Sequence, residues 1–155
     1  MKFVTAQDYR TPEKRHILKQ MAEQWCNNHK HIMDGKPFSE RYLDYLMSLD
    51  LNKPGFGFAQ GIEDDKGHLH CLICAEIIEN MWINQADCNI ICILTNRPSN
   101  SKYLNLLLKR LYEWADLRGA ENVYVFSWSN RPAYEKIFDR LGFKASGYTY
   151  KRKLK

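Results

Sequence analysis

The chain has 155 residues and a formal net charge of +5; it is 45% hydrophobic, 26% charged and 13% aromatic. That apolar content suits one core, read as a single domain over 1–155, and excludes a disordered chain. Apolar runs of only a few residues exclude a membrane-spanning helix, and Met1-Lys2-Phe3-Val4-Thr5 opens no signal-type stretch, so a cytoplasmic protein is expected.

Residues 2–6 predict a short strand. Thr11-Pro12-Glu13 predicts a helix start: a capping hydroxyl, Pro in the first turn, then an acid near the positive end. The helix should run to about Asn28, with Ile17, Met21 and Trp25 on one face. Ser39-Glu40 opens a second helix carrying Tyr42, Leu43, Leu46, Met47 and Leu49, and Asn52-Lys53-Pro54-Gly55 breaks it. Phe56 to Ile62 reads as a strand, Asp64-Asp65-Lys66-Gly67 as a hairpin turn, and His68 to Ile78 as the returning strand. Glu79 to Asp87 is polar and reads as irregular, and Cys88 to Thr95 as an Ile-rich strand. A long helix from about Ser101 to Arg118 repeats Leu104, Leu107, Leu108, Leu111 and Ala115 at helical spacing and stops at Gly119. Val123 to Trp128 is a β-branched and aromatic strand. A helix opened by Asn130-Arg131-Pro132 carries Ala133, Ile137, Phe138 and Leu141 and ends at Gly142; Phe143 to Leu154 is a final strand or hairpin. Strand–helix–strand units in the second half imply some parallel pairing with a right-handed crossover.

Five cysteines, odd in number and irregularly spaced, argue against a disulfide framework. Cys71 and Cys74 have CxxC spacing. They lie in a strand, where residues three apart face opposite sides, and no second CxxC completes a zinc site, so buried reduced thiols are expected. Residues 1–75 hold ten Lys/Arg and ten Asp/Glu, whereas 76–155 hold thirteen and eight. The excess charge of the second half, with its Lys151–Lys155 tail, fits a phosphorylated cofactor or, more weakly, nucleic acid. The alternative is a solvated basic face.

The order βααβββαβαβ resembles the GNAT superfamily of acyl-CoA N-acyltransferases. The most specific segment is Asn130-Arg131-Pro132-Ala133-Tyr134-Glu135-Lys136-Ile137-Phe138-Asp139-Arg140-Leu141-Gly142-Phe143, which is similar to that family's helix beside the cofactor and its exit into a strand. Leu117-Arg118-Gly119-Ala120 also fits. The resemblance implies an α/β fold: a mixed, mostly antiparallel central sheet with a splayed parallel strand pair and helices on both faces. It also implies acetyl-CoA as cofactor. In the gap between two splayed strands, a pantetheine arm can satisfy unpaired backbone groups as a pseudo-strand. The pyrophosphate then rests on the following helix N-terminus. By resemblance the backbone of Cys92, Ile93 and Leu94 would hold the acyl carbonyl and pantetheine.

The chain departs from the family in two places. Where a glycine-rich phosphate loop is usual, it reads Ser99-Asn100-Ser101-Lys102-Tyr103-Leu104. Two readings stand: a rebuilt site using Ser99, Asn100 and Ser101 as hydrogen-bond donors with Arg97 and Lys102 as cations, or a capped helix in a chain that has lost its cofactor. Phe138 occupies the place of a Tyr that protonates the departing thiolate, which leaves Tyr134, one turn earlier, as the acid to consider or as a packing residue. Asn130 is either a pantetheine contact or a helix N-cap.

The base for an amine acceptor is sought among Glu76, Glu79, Asp87, His68 and His70, with Glu76 the choice. Trp82, Trp128 and Tyr148 are acceptor-site or packing aromatics. The expected function is acetyl transfer from acetyl-CoA to an amine by direct attack; the alternative is an inactive binding or structural protein of the same fold. Expected partners are a small-molecule or protein amine acceptor and no membrane, with a homodimer left open.

Overall fold

The computed structural model describes residues 1–29, 36–52, 54–96, 101–125 and 132–146, of which 52 and 132–135 by backbone alone. Strand β1 (Lys2–Thr5) leads through a 3-10 turn into helix α1 (Pro12–Asn28), then α2 (Glu40–Met47) and the short α3 (Leu49–Asn52). Strands β2 (Gly57–Glu63), β3 (Leu69–Asn80) and β4 (Gln85–Thr95) follow, then helix α4 (Ser101–Asp116), strand β5 (Ala120–Val125) and helix α5 (Pro132–Arg140). The five strands form one sheet in chain order; every neighbouring pair is antiparallel except β4 and β5, which are parallel.

Strand alternation sorts the side chains into two layers. One packs Leu72, Cys74, Cys92 and Leu94 of the sheet against Leu18, Met21, Leu43 and Leu46 of α1 and α2. The other packs Ile73, Ala75, Cys88 and Ile90 against Leu107, Leu108 and Leu111 of α4, with Leu141 and Phe143 at the exit of α5. Burying each Leu or Ile stabilises the fold by roughly 1.5–3 kcal/mol, so both layers are needed to hold the sheet. Cys71 and Cys74 lie in opposite layers, as their spacing implies. Burial pushes the Cys71 and Cys88 thiols up to about 12, so both stay protonated at neutral pH.

Several expectations shift. Glu79 to Asp87 is not irregular: β3 and β4 extend through it as a hairpin, with Ile78 opposite Asp87, Glu79 opposite Ala86 and Asn80 opposite Gln85. Asn84, at φ 49°, closes its turn in the left-handed region that Asn tolerates. Thr11 caps α1 by extended backbone and by Pro12, without a side-chain bond. Among the described residues β5 spans Ala120–Val125, three residues earlier than expected at its start. Residues 143–146 form no strand; the rest of the expected final strand, like 126–131, lies outside the described residues. Helix α4 ends at Asp116, and Gly119, at φ 74°, turns the chain into β5.

The helical layer over α1 is tied to the sheet by a buried polar pair. Tyr9, fully buried, donates its hydroxyl to the carboxylate of Glu63, itself buried, and Lys14 Nζ stands 3.5 Å from the same oxygen. Burial first, then the Glu63 bond, pushes the Tyr9 hydroxyl above its ordinary value. Tyr9 therefore keeps its proton in the fold at pH values where the unfolded chain loses it, above about 10. Its contribution is complete below that pH and is lost as pH rises further. Tyr9→Phe should destabilise the protein by about 1–3 kcal/mol at neutral pH, because Glu63 loses its buried donor. Urea unfolding at pH 7 and above pH 10 measures both effects: the difference between the two proteins should shrink on the alkaline side.

Candidate active site

Strand β4 alternates from its first residue: Ala86, Cys88 and Ile90 face the α4 layer, while Gln85, Asp87 and Asn89 face the opposite side. The alternation breaks at one place. Cys74 pairs with Cys92 and Ala75 with Ile90, so Ile91 is an extra residue on β4, a β-bulge. Ile91, Cys92 and Leu94 then share the α1 layer, and only Ile93 returns to the other. The last described parallel pair with β5 is Ile90 with Val125. Beyond it β4 runs on to Thr95, paired with β3 alone among the described residues. This is the expected neighbouring parallel pair; whether the strands part beyond Val125 falls on residues outside the description.

Sixteen-residue helix α4 rises from this end of β4, and Ser101 and Lys102 are exposed in its first turn. Arg97, Ser99, Asn100 and Asn130 lie outside the described residues. Tyr134 is placed by backbone alone, in α5. Phe138 is half-buried and packs edge-to-face on Phe143, ring centroids 5.8 Å apart. The same two residues are joined by a hydrogen bond from Phe143 N–H to the Phe138 carbonyl at 2.9 Å, so Phe138 fastens the helix exit.

On the opposite face the hairpin shelters a cavity of about 510 Å³. Its floor is Asp87, Asn89 and Tyr124, and its wall runs from Ile78 and Glu79 to Trp82. Asp87 is only 4% exposed. Its Oδ1 accepts from Gln85 Nε2 at 2.7 Å and from Asn122 Nδ2 at 3.0 Å. Among the described residues its second oxygen accepts no hydrogen bond, and the residue lines the cavity. A second irregularity brings Asn122 there: three residues of β5 span Ala120 to Val123, against two of β4 from Ala86 to Cys88. Asn89 Oδ1 is buried and has no partner among the described residues. Glu76 sits directly opposite Asn89 on β3, half-buried and on the same face.

The other sequence-derived sites are not brought to this cavity. His68 and His70 converge on Asp64 Oδ2 at 3.3 and 3.1 Å, and His70 rests against Tyr103, ring centroids 4.5 Å apart. The backbone N–H of His68 first, then the His70 ring, holds the Asp64 carboxyl well below its ordinary value. This group fastens the β2–β3 turn to α4. Trp82 does line the cavity, at 97% exposure on the hairpin tip; Trp128 and Tyr148 are outside the described residues. Asn89, Tyr124, Gln85 and Asn122 were not anticipated. The signal for Gln85 and Asn89 was the strict polar–apolar alternation of Gln85-Ala86-Asp87-Cys88-Asn89-Ile90.

No protein-family model matches the chain, and no curated protein resembles it closely enough in sequence to count as a match. Solved structures do resemble it. A variant of the BH1408 protein from Bacillus halodurans superposes with a TM-score of 0.77 at 9% identity over 99% of both chains. An aminoglycoside acetyltransferase from an uncultured soil metagenomic sample gives 0.65 at 11% identity, over 99% of this chain and 97% of its own. Glucosamine-6-phosphate N-acetyltransferase from Arabidopsis thaliana gives 0.60 at 10% identity, over 76% and 80%. The fold is therefore GNAT-like: a mixed five-stranded sheet with one parallel pair and helices on both faces.

Asn122→Ala should leave Asp87 with one amide donor on a buried carboxylate. The expected cost is about 1–3 kcal/mol, read from the denaturant midpoint at unchanged slope.

Proposed function

We propose that the protein transfers an acyl group, acetyl in the first instance, from a coenzyme A thioester to an amine. The observation that carries this reading is the parallel pair of β4 and β5 joined through helix α4, with a bulge at Ile91 of β4, in a fold shared with solved acetyltransferases. The backbone of Cys92, Ile93 and Leu94, just past the bulge, is where the resemblance would lay an extended amide-bearing arm. The first turn of α4 with Ser101 and Lys102, and by sequence Arg97, Ser99 and Asn100, fits the pyrophosphate. When bound, acetyl-CoA supplies the activated acyl group.

The remaining chemistry falls to side chains. The acceptor amine enters from the cavity face between Asn89 and Glu76. Its nitrogen attacks the thioester carbonyl; the N–C bond forms and the C–S bond breaks. Glu76 takes the proton the nitrogen loses, and backbone N–H groups near the bulge stabilise the oxyanion. Tyr134 returns a proton to the thiolate, since Phe138 has none to give. Asn130 orients the pantetheine.

Calorimetric titration with acetyl-CoA and CoA tests the reading. Binding is expected at low salt and should weaken as salt rises, because exposed cations rather than glycine-backed amides meet the phosphates. Lys102→Ala and Arg97→Ala should each weaken it. Absence of binding to both at low salt would replace this reading by an inactive binding protein of the same fold. With a turned-over amine in hand, Glu76→Gln should lower kcat by about 10²–10⁴-fold. Tyr134→Phe should lower kcat at nearly constant acetyl-CoA affinity, and Phe138→Tyr should restore it.

A further inference from the structure

We infer that the cavity beneath the β3–β4 hairpin recognises a primary ammonium carried on an apolar body of about aromatic size. That this ligand is the acyl acceptor rests on the function proposed above; the binding itself does not.

The charged groups of the described lining are both carboxylates: Asp87 presents an oxygen that accepts no hydrogen bond among the described residues, and Glu79 stands at the rim. Asn80 is already occupied, its side-chain oxygen accepting the Trp82 N–H at 3.1 Å. No Lys, Arg or His is among the described lining residues. A charged N–H offsets the burial of the Asp87 carboxylate.

Ile78, Met81, Trp82 and the Tyr124 ring complete the described lining, and Met81 and Trp82 are 91% and 97% exposed. An indole left almost wholly in water beside a carboxylate-lined cavity offers an aromatic face to the ligand body and attraction to its cation. An acceptor with a carboxylate or phosphate beside its amine would meet Asp87 and Glu79 with no counter-charge from the described lining residues, so the cavity discriminates against it.

The test uses the full-length protein without any acyl-CoA and 2-phenylethylamine as probe, read by calorimetry. Binding is expected. Phenylalanine, which adds a carboxylate, 3-phenylpropanoate, which reverses the charge, and methylamine, which lacks the body, should each bind about tenfold more weakly or worse. Trp82→Ala and Asp87→Asn, which keeps the shape and removes the charge, should each weaken the probe by about tenfold; circular dichroism and thermal midpoints check that each variant folds. No binding of the probe at millimolar concentration overturns the inference. So does equal binding of 3-phenylpropanoate, or probe affinity indifferent to both Trp82→Ala and Asp87→Asn. Probe binding without acetyl-CoA binding would sink the acyl-transfer reading and leave this one standing. Turnover of amines with no preference against an added carboxylate would do the reverse.

Discussion

Between Ile90 and Cys92, β4 carries one residue more than β3 can pair. The surplus is absorbed by turning Ile91 into the same layer as Cys92, which adds twist and bends the strand. The last described pair with the parallel neighbour β5, Ile90 with Val125, lies just before it. Tertiary packing keeps the bulge in place. Cys92 and Leu94 are clamped under α1 and α2, while Cys88 and Ile90 are clamped under α4, so removing the extra residue would turn one of these sets to the wrong layer.

The same break relates the two sides of the sheet. Upstream of Ile91, strict alternation sends Asp87 and Asn89 to one face and Cys88 and Ile90 to the other. A group bound among the α4 and α5 side chains is thereby separated from the polar cavity by the backbone of β4. In the proposed reaction the thioester and the amine approach from these two faces.

Much of the fold could be read from the sequence because its signals are local. Pro12, the Leu104–Leu111 repeat, Gly119 and the Asp64–Gly67 turn each act within a few residues, and the elements they mark stand where expected. The hairpin tip was misread for the opposite reason. Glu79 to Asp87 is polar on balance, and composition outweighed an alternation that needed Gln85 to be counted as the first strand residue. Its pairing is supplied from outside the segment, by the long β3 strand already in register. Gln85 and Asn89 were hidden by the same error, since they join Asp87 in one polar face only once the segment is a strand. Asn122 could not be found at all, because its reach to Asp87 depends on an irregular step between two strands far apart in the chain. The family resemblance pointed to the right fold but, at its phosphate loop and at Phe138, to residues this chain does not have.

The buried carboxylate of Asp87 shows how the polar face is held without unmaking the core. Desolvating a carboxylate costs several kcal/mol unless donors surround it. Here two neutral amides, from Gln85 two residues before and Asn122 across the parallel pair, satisfy one oxygen. Neutral donors orient the group but leave its charge in place, which a salt bridge would have cancelled. The fold therefore keeps an oriented, uncompensated negative charge beside Asn89 and Tyr124. An acceptor short of a donor costs stability in the free protein, and the Asp87 oxygen left on the cavity side is compensated when a cation enters.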